Sequence, residues 1–207
     1  MNLADMQESL LQIYQEFEDK IAPYRAQAVC RLGCAYCCIN VGTVDATTLE
    51  GMLIRSHLRG WQPKARAEID RKLKRNRQEK LQRVFARCAF LDDELSCTIY
   101  PVRPFSCRRL YSVKRCGEHG PVIHRAALDF VKDTVKALQE LDCHGCSGHL
   151  SFILHLLQMK DFRRAYCKGA LQFERFKNYL VRYQVVPHRS ELRTKYGRNR
   201  TFGIMSD

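Results

Sequence analysis

Apolar residues recur along the first part of the chain at helical spacing: Leu3, Met6, Leu10, Ile13, Phe17 and Ile21. Steps of three and four place them on one face, so residues 3–21 are predicted to form an amphipathic helix that Ala22-Pro23 ends. A second helix is expected over Val44 to Leu58, with Asp45 or Thr47 as its cap, before Gly60 and Pro63 interrupt the chain. Residues 64–87 read as a third, with Ile69, Leu73, Leu81, Val84 and Phe85 as apolar positions. Leu128, Val131, Val135, Leu138 and Leu141 mark another helix, and Leu150 to Met159, apolar on nearly every side, reads as a buried one. Phe173, Phe176, Leu180 and Tyr183 suggest one more.

Between the third helix and the next, from Cys88 to Cys116, the periodicity fails. This stretch holds Phe90, Tyr100, Phe105 and Tyr111, two prolines and four cysteines, and reads as ordered loop with a short hairpin. The expected fold is mainly α, with helices around an irregular cysteine-rich metal-binding segment. Residues 1–120 are expected to be the cysteine-cluster domain, with the N-terminal helix and a basic helix. Residues 121–186 form a helical extension packed on it, and 187–207 a basic tail.

Cysteine usage supplies the chemistry. The chain has 207 residues and eleven cysteines, no apolar run long enough to span a bilayer and no secretory signal. A cytoplasmic protein is therefore expected, with its cysteines as thiols rather than disulfides. Four fall in one short run, Cys30, Cys34, Cys37 and Cys38. Cys34-Ala35-Tyr36-Cys37 is the C-x2-C half-site found in zinc knuckles and in iron–sulfur ligation. Cys30 lies one turn earlier, and Gly33 frees the backbone before the first knuckle thiol. Side chains of adjacent residues point in different directions, so Cys37 and Cys38 are candidates for two different centres. Downstream, Cys88, Cys97, Cys107 and Cys116 raise the count to eight thiols, enough for two four-thiol centres or for one centre with spare or reactive thiols. Pro101 and Pro104 stiffen the approach to Cys107. Arg103 and Arg108 are placed to offset an anionic thiolate cluster, and Tyr100 and Phe105 to shield it; surface charge and plain core packing are the competing readings.

The blocks C-x3-C-x2-C-C at 30–38, C-A-F-L at 88–91 and C-T-I-Y-P-V-R-P-F-S-C-R at 97–108 resemble the CxxCxxCC, or YkgJ-like, cysteine-cluster family over about residues 28–118. The spacing between Cys30 and Cys34 is one residue longer than the family pattern. The resemblance implies coordination of zinc or iron and no particular reaction. A similar cysteine block occurs in flagellin lysine N-methylases, which suggests an iron–sulfur cluster.

Three functions follow as expectations. One is an iron–sulfur protein with a redox, sensing or modification-linked role. Another is a structural zinc protein that binds nucleic acid or an acidic protein. The third is a metal-handling chelator or chaperone with exchangeable ligands at Cys37 and Cys38. The formal charge is +13, and two four-thiolate sites around 2+ ions would lower it to +9, still basic. Residues 64–87 carry ten Lys or Arg against three acids, five of the ten at 71–77, which offers either a surface for an acidic partner or a solvated face with pairs such as Glu68–Lys72. Arg189, Arg193, Lys195, Arg198 and Arg200 extend the basic signal. Cys143-His144-Gly145-Cys146 is a second C-x2-C, read as buried thiols at a helix junction or as a further half-site with Cys116, His149 or Cys167. His155 reads as a core histidine. The common nucleotide-binding, esterase and zinc-protease motifs do not occur, and no enzyme class is assigned.

Overall fold

The computed structural model describes residues 2–31, 33–82, 85–117 and 120–192. Helix α1 (Leu3–Arg25) starts where Asn2 Oδ1 accepts from the backbone N–H groups of Ala4 and Asp5, at 2.8 and 3.1 Å. Asp5 returns a bond to the Asn2 N–H, closing a capping box that satisfies donors the first turn would leave open. Leu10, Tyr14, Phe17 and Ile21 form its buried stripe. The helix does not stop before Pro23: that residue sits in its last turn, and Ala26 N–H still reaches the Ala22 carbonyl. A proline that near the end forfeits one bond without breaking the helix.

A short helix, α2 (Tyr36–Asn40), and a three-residue strand, β1 (Asp45–Thr47), precede α3 (Thr48–Arg59). Thr47 caps α3, and its partner in the capping box is Glu50. Helix α4 (Pro63–Gln82) buries only Ile69, Leu73 and Asn76, while Leu81 and Phe85 are exposed, so the buried apolar stripe expected to run to Phe85 ends at Leu73. A 3-10 turn (Tyr100–Val102) and α5 (Phe105–Arg108) punctuate the cysteine-rich loop. Then follow α6 (Ala127–Leu141), β2 (Cys146–His149), α7 (Leu150–Gln158), α8 (Lys160–Cys167), a 3-10 turn (Phe173–Phe176), α9 (Lys177–Tyr183) and β3 (Val186–Pro187).

The three short strands make one antiparallel sheet in the order β1-β2-β3, with Thr47 opposite Ser147 and Ser147 opposite Val186. The sequence reading omitted this sheet and helix α8. Strands of two to four residues are too short for an alternating pattern, and Cys-Ser-Gly-His carries little strand propensity.

Three apolar clusters form the interior. In the first, the α1 stripe meets Val131, Val135 and Leu138 of α6, with Phe105 of α5 edge-on to Phe17 at 4.7 Å. In the second, α7 is enclosed by Met52, Phe162, Phe173 and Leu180. Gly51 of α3 lets α7 approach: a Cβ there would stand 2.8 Å from Ile153 Cγ2 and Leu157 Cδ1. The third gathers Ile54, Ile69, Leu73, Phe90, Ile99 and Leu154, and Cys88, Cys97 and Cys107 pack against it. Half of the cysteine segment is therefore seated on an apolar floor. The tail residues from 193 onward lie outside the described residues, as does Val84.

Candidate metal centre

The first cysteine run is held as a loop. Val29 N–H donates to the Ser112 carbonyl at 2.8 Å, which lays the strand of chain before Cys30 beside the segment leading to Cys116. Gly33 takes φ +85°, the left-handed turn that a side chain would strain, and Cys34 N–H closes on the Arg31 carbonyl. Helix α2 then carries Cys37 and Cys38, about 100° apart around its axis. The Tyr36 hydroxyl donates to the Gly117 carbonyl at 2.5 Å, a second tie to the Cys116 segment.

Cys38 is tied the other way. Its carbonyl accepts from Cys88 N–H at 2.8 Å. Cys88 begins a small hairpin: Leu91 bridges Cys97, and Thr98 N–H and hydroxyl both donate to the Phe90 carbonyl, at 2.9 and 3.0 Å. Cys107 sits in α5, its N–H on the Pro104 carbonyl.

These ties sort the eight thiols. Cys30 lies within electrostatic reach of Cys34 and Cys116, and Cys37 of Cys116, Cys30 and Cys34. Cys38 feels Cys97, and Cys88 feels Cys38 and Cys97. Cys107 feels Cys88, Cys38 and Cys97. Two quartets result: Cys30, Cys34, Cys37 and Cys116, and Cys38, Cys88, Cys97 and Cys107. They touch only where Cys38 also senses Cys34 and its neighbour Cys37. Among the described residues, no group of three or more His, Cys, Asp or Glu side chains is already set to hold a metal ion. The quartets are neighbourhoods, and their side chains do not close on a point.

Burial is the first cause of the raised thiol pKa values, and mutual repulsion adds to it. Cys37 and Cys88 are both pushed up to about 12. Cys107 is raised well above a free thiol, burial first and the charges of its three cysteine neighbours next. The raised thiols Cys37, Cys38, Cys88, Cys97 and Cys107 favour the protonated form until a cation replaces the proton. Cys30 and Cys34 are exposed, so the first quartet opens to solvent on that side.

The two arginines divide. Arg103 lies over the Tyr100 ring at 3.8 Å; burial raises the pKa of Cys97 and of Cys107, and the Arg103 charge offsets part of that rise. Both reach Glu18 Oε1, Arg103 at 3.8 Å and Arg108 at 2.7 Å, but Arg108 is buried and further engaged on the carbonyls of Pro101 and Arg103 and over the Tyr14 ring. The aromatic pair divides too: Phe105 is fully buried, while Tyr100 is 58 % exposed and covers little.

One supporting residue escaped the sequence reading. Glu50, 1 % exposed, accepts from the Tyr14 hydroxyl at 2.6 Å, Phe105 N–H at 2.7 Å and Thr47 N–H at 2.6 Å. It thereby joins α1, α3 and the turn that carries Cys107. The Thr47-x-x-Glu50 capping box was its available signal.

The second C-x2-C does not act as a pair. Cys146 is buried against the Thr48 hydroxyl at 3.2 Å, whereas Cys143 and Cys167 are exposed. His155 Nδ1 pairs with the Tyr179 hydroxyl at 3.0 Å, and His149 Nδ1 with Ser151 Oγ at 2.8 Å. Among the described residues, no helix is long and apolar enough to cross a membrane.

Residues 29–136 match the model of the CxxCxxCC family, whose description reads "Putative zinc- or iron-chelating domain". The matched span holds all eight thiols of the two quartets. Neither the curated proteins nor the solved structures searched gave a match.

Proposed function

The chain belongs to the CxxCxxCC family of zinc- or iron-chelating domains, and from that premise we propose that its eight clustered cysteines act as two four-thiolate centres, most naturally iron–sulfur clusters in a redox, sensing or modification-linked role. One observation carries the reading: Cys88 N–H ties to the Cys38 carbonyl at 2.8 Å, whereas Val29 N–H and the Tyr36 hydroxyl tie to the Ser112 and Gly117 carbonyls on either side of Cys116, so the first cysteine run lies against two different distant cysteine segments. In this reading residues 1–120 hold the centres and residues 121–186 brace them.

The donor chemistry fits. Each quartet is all sulfur, with no histidine among its members, which suits iron–sulfur clusters and also four-cysteine zinc. Cys38, Cys88, Cys97 and Cys107 would hold the better shielded centre, on the apolar floor of Phe90 and Ile99. Arg103 would offset its negative charge, and Arg108, through Glu18 and the Pro101 carbonyl, would position the turn that bears Cys107. A bound cluster would supply electron transfer; the chain's own residues anchor the thiols, exclude water from the inner quartet and compensate charge.

Anaerobic purification, with metal and acid-labile sulfide analysis and an optical spectrum, tests this. Brown protein containing iron and sulfide is expected. Colourless protein with two zinc ions per chain would replace clusters by structural zinc, and protein that binds neither metal would overturn both readings. The zinc reading brings with it an acidic or nucleic-acid partner. What favours such a partner is α4, on which Lys64, Arg66, Arg71, Lys74 and Arg75 are exposed, while the Glu68–Lys72 pair at 3.2 Å neutralises one cation.

A further inference from the structure

Away from the thiols, β2 and β3 border a cavity of about 530 Å³ lined by Ser147, His188, Phe152, Tyr183 and Arg182 among others. That volume lies in the range of small-ligand sites. Ser147 Oγ lies 2.5 Å from His188 Nε2, and His188 Nδ1 lies 2.6 Å from the Asp142 backbone carbonyl. The Asp142 carboxylate stands beside the same ring nitrogen, with Oδ2 at 3.7 Å.

The tautomer follows from these partners. A carbonyl only accepts, so Nδ1 must carry the proton that it donates to Asp142. In the neutral ring Nε2 is then a lone pair, and the Ser147 hydroxyl must donate to it. That is the arrangement by which a histidine, oriented from behind, takes the proton of an attacking serine. All three residues are nine-tenths or more buried, yet Ser147 and His188 reach the cavity wall.

Asp142 is locked in turn. It accepts from the Tyr166 hydroxyl at 2.7 Å and Leu49 N–H at 3.1 Å. Gly145 leaves the room, since a Cβ there would lie 2.3 Å from Asp142 Oδ1. Desolvation raises the Asp142 carboxyl to about 8, so near neutral pH it is mainly protonated, and a nearby cation favours its ionisation. The imidazolium formed when His188 takes a proton is such a cation. A lone structural hydrogen bond would need neither the open cavity nor the second polar layer behind the histidine.

We propose that Ser147, His188 and Asp142 form a nucleophilic site that cleaves carboxylic esters in this cavity. Ser147 Oγ attacks the ester carbonyl carbon, and His188 Nε2 takes the hydroxyl proton. The carbon–oxygen bond to the leaving alkoxide breaks, and His188 protonates that group to the free alcohol. Water, deprotonated by His188, then releases the acyl group as a carboxylic acid and restores Ser147. The apolar wall of Phe152 and Tyr183 would receive the acyl chain, with Arg182 at the rim. Nothing in this step uses the cysteine centres, so it stands or falls separately from them.

The full chain, as purified, is incubated with a small uncharged fluorophosphonate, and the adduct is located by peptide mass mapping, with a known serine esterase treated alongside. Modification of Ser147 is expected, with fluoride leaving, together with turnover of p-nitrophenyl acetate that Ser147→Ala abolishes. His188→Gln should slow labelling by about 100-fold or more, the usual scale for losing a general base. An unmodified Ser147 in the wild-type chain, under conditions that fully modify the control esterase, overturns the proposal whether or not either variant folds.

Discussion

Glu50 offers the sharpest test of how this fold holds its cysteine segment. The carboxylate is almost fully desolvated, and the Tyr14 hydroxyl, Phe105 N–H and Thr47 N–H all end on it. In Glu50→Ala all three donors lose their acceptor, and Tyr14, Phe105 and Thr47 are themselves buried, so water cannot take its place. A buried donor left unsatisfied costs about 1–3 kcal/mol. Three place the loss at about 3–6 kcal/mol, allowing for partial relaxation, against a total of about 5–15 kcal/mol for a domain of ordinary stability. Glu50→Gln is milder. Its amide oxygen can replace Oε1, which serves both Tyr14 and Phe105, but its NH2 then faces Thr47 N–H, donor against donor. One bond is lost, about 1–2 kcal/mol. Tyr14→Phe removes a single donor and should cost about 1 kcal/mol. Burial also raises the Glu50 carboxyl pKa despite its three donors. The stability tied to its proton is therefore present at low pH and lost as pH rises through that raised value, a decline that Glu50→Gln should lack. Urea unfolding followed by circular dichroism, with m held constant across the series, measures all three variants. Where Glu50→Ala still folds, the Cys107 turn is loosened, and metal should be lost from the inner quartet before the outer. A Glu50→Ala protein within about 1 kcal/mol of wild type, or more stable than Glu50→Gln, would refute this account.

Further predictions follow from other residues. If the two thiols serve different quartets as proposed, Cys37→Ser and Cys38→Ser should each lower bound metal by about half, and the double variant should retain none; equal and complete loss in both single variants would point to one shared centre. Gly145→Ala should cost about 2–4 kcal/mol, since its Cβ would displace the buried Asp142 carboxylate from Tyr166 and Leu49; a melting temperature within two or three degrees of wild type, on the order of 1 kcal/mol for a chain of this size, would count against it. The Asp142 carboxyl, raised to about 8, makes the folded state lose stability as pH climbs from about 4, its ordinary range, to about 8. In Asp142→Asn that slope should flatten, read as melting temperature against pH, while the loss of one acceptor lowers the whole curve. Neutralising Lys72, Lys74 and Arg75 should weaken any salt-dependent RNA or DNA binding and leave the melting temperature almost unchanged, because these side chains lie on the solvated face of α4.

Much of this molecule is written in local order. The α1 stripe, the Asn2 and Thr47 caps, the buried α7 and the α6 face follow from steps of three and four residues and from side chains that compete for backbone donors. The run C-x3-C-x2-C-C is equally local, since ligand spacing along a chain needs no partner to be recognised. Family membership is legible at that level too. Only tertiary structure decided which cysteine segments lie side by side. The choice rests on Cys88 N–H reaching the Cys38 carbonyl and Val29 N–H reaching the Ser112 carbonyl, contacts across long separations that no periodicity encodes. The same holds for the sheet, whose strands are too short to show a pattern and exist because β2 has a partner on each edge. It holds for Arg103 and Arg108, which share Glu18 although only Arg108 is buried over Tyr14, and for Ser147 and His188, brought within a hydrogen bond by the pairing of β2 with β3. Helices and knuckles are set by neighbours in the chain, whereas charge compensation and catalysis depend on neighbours in space.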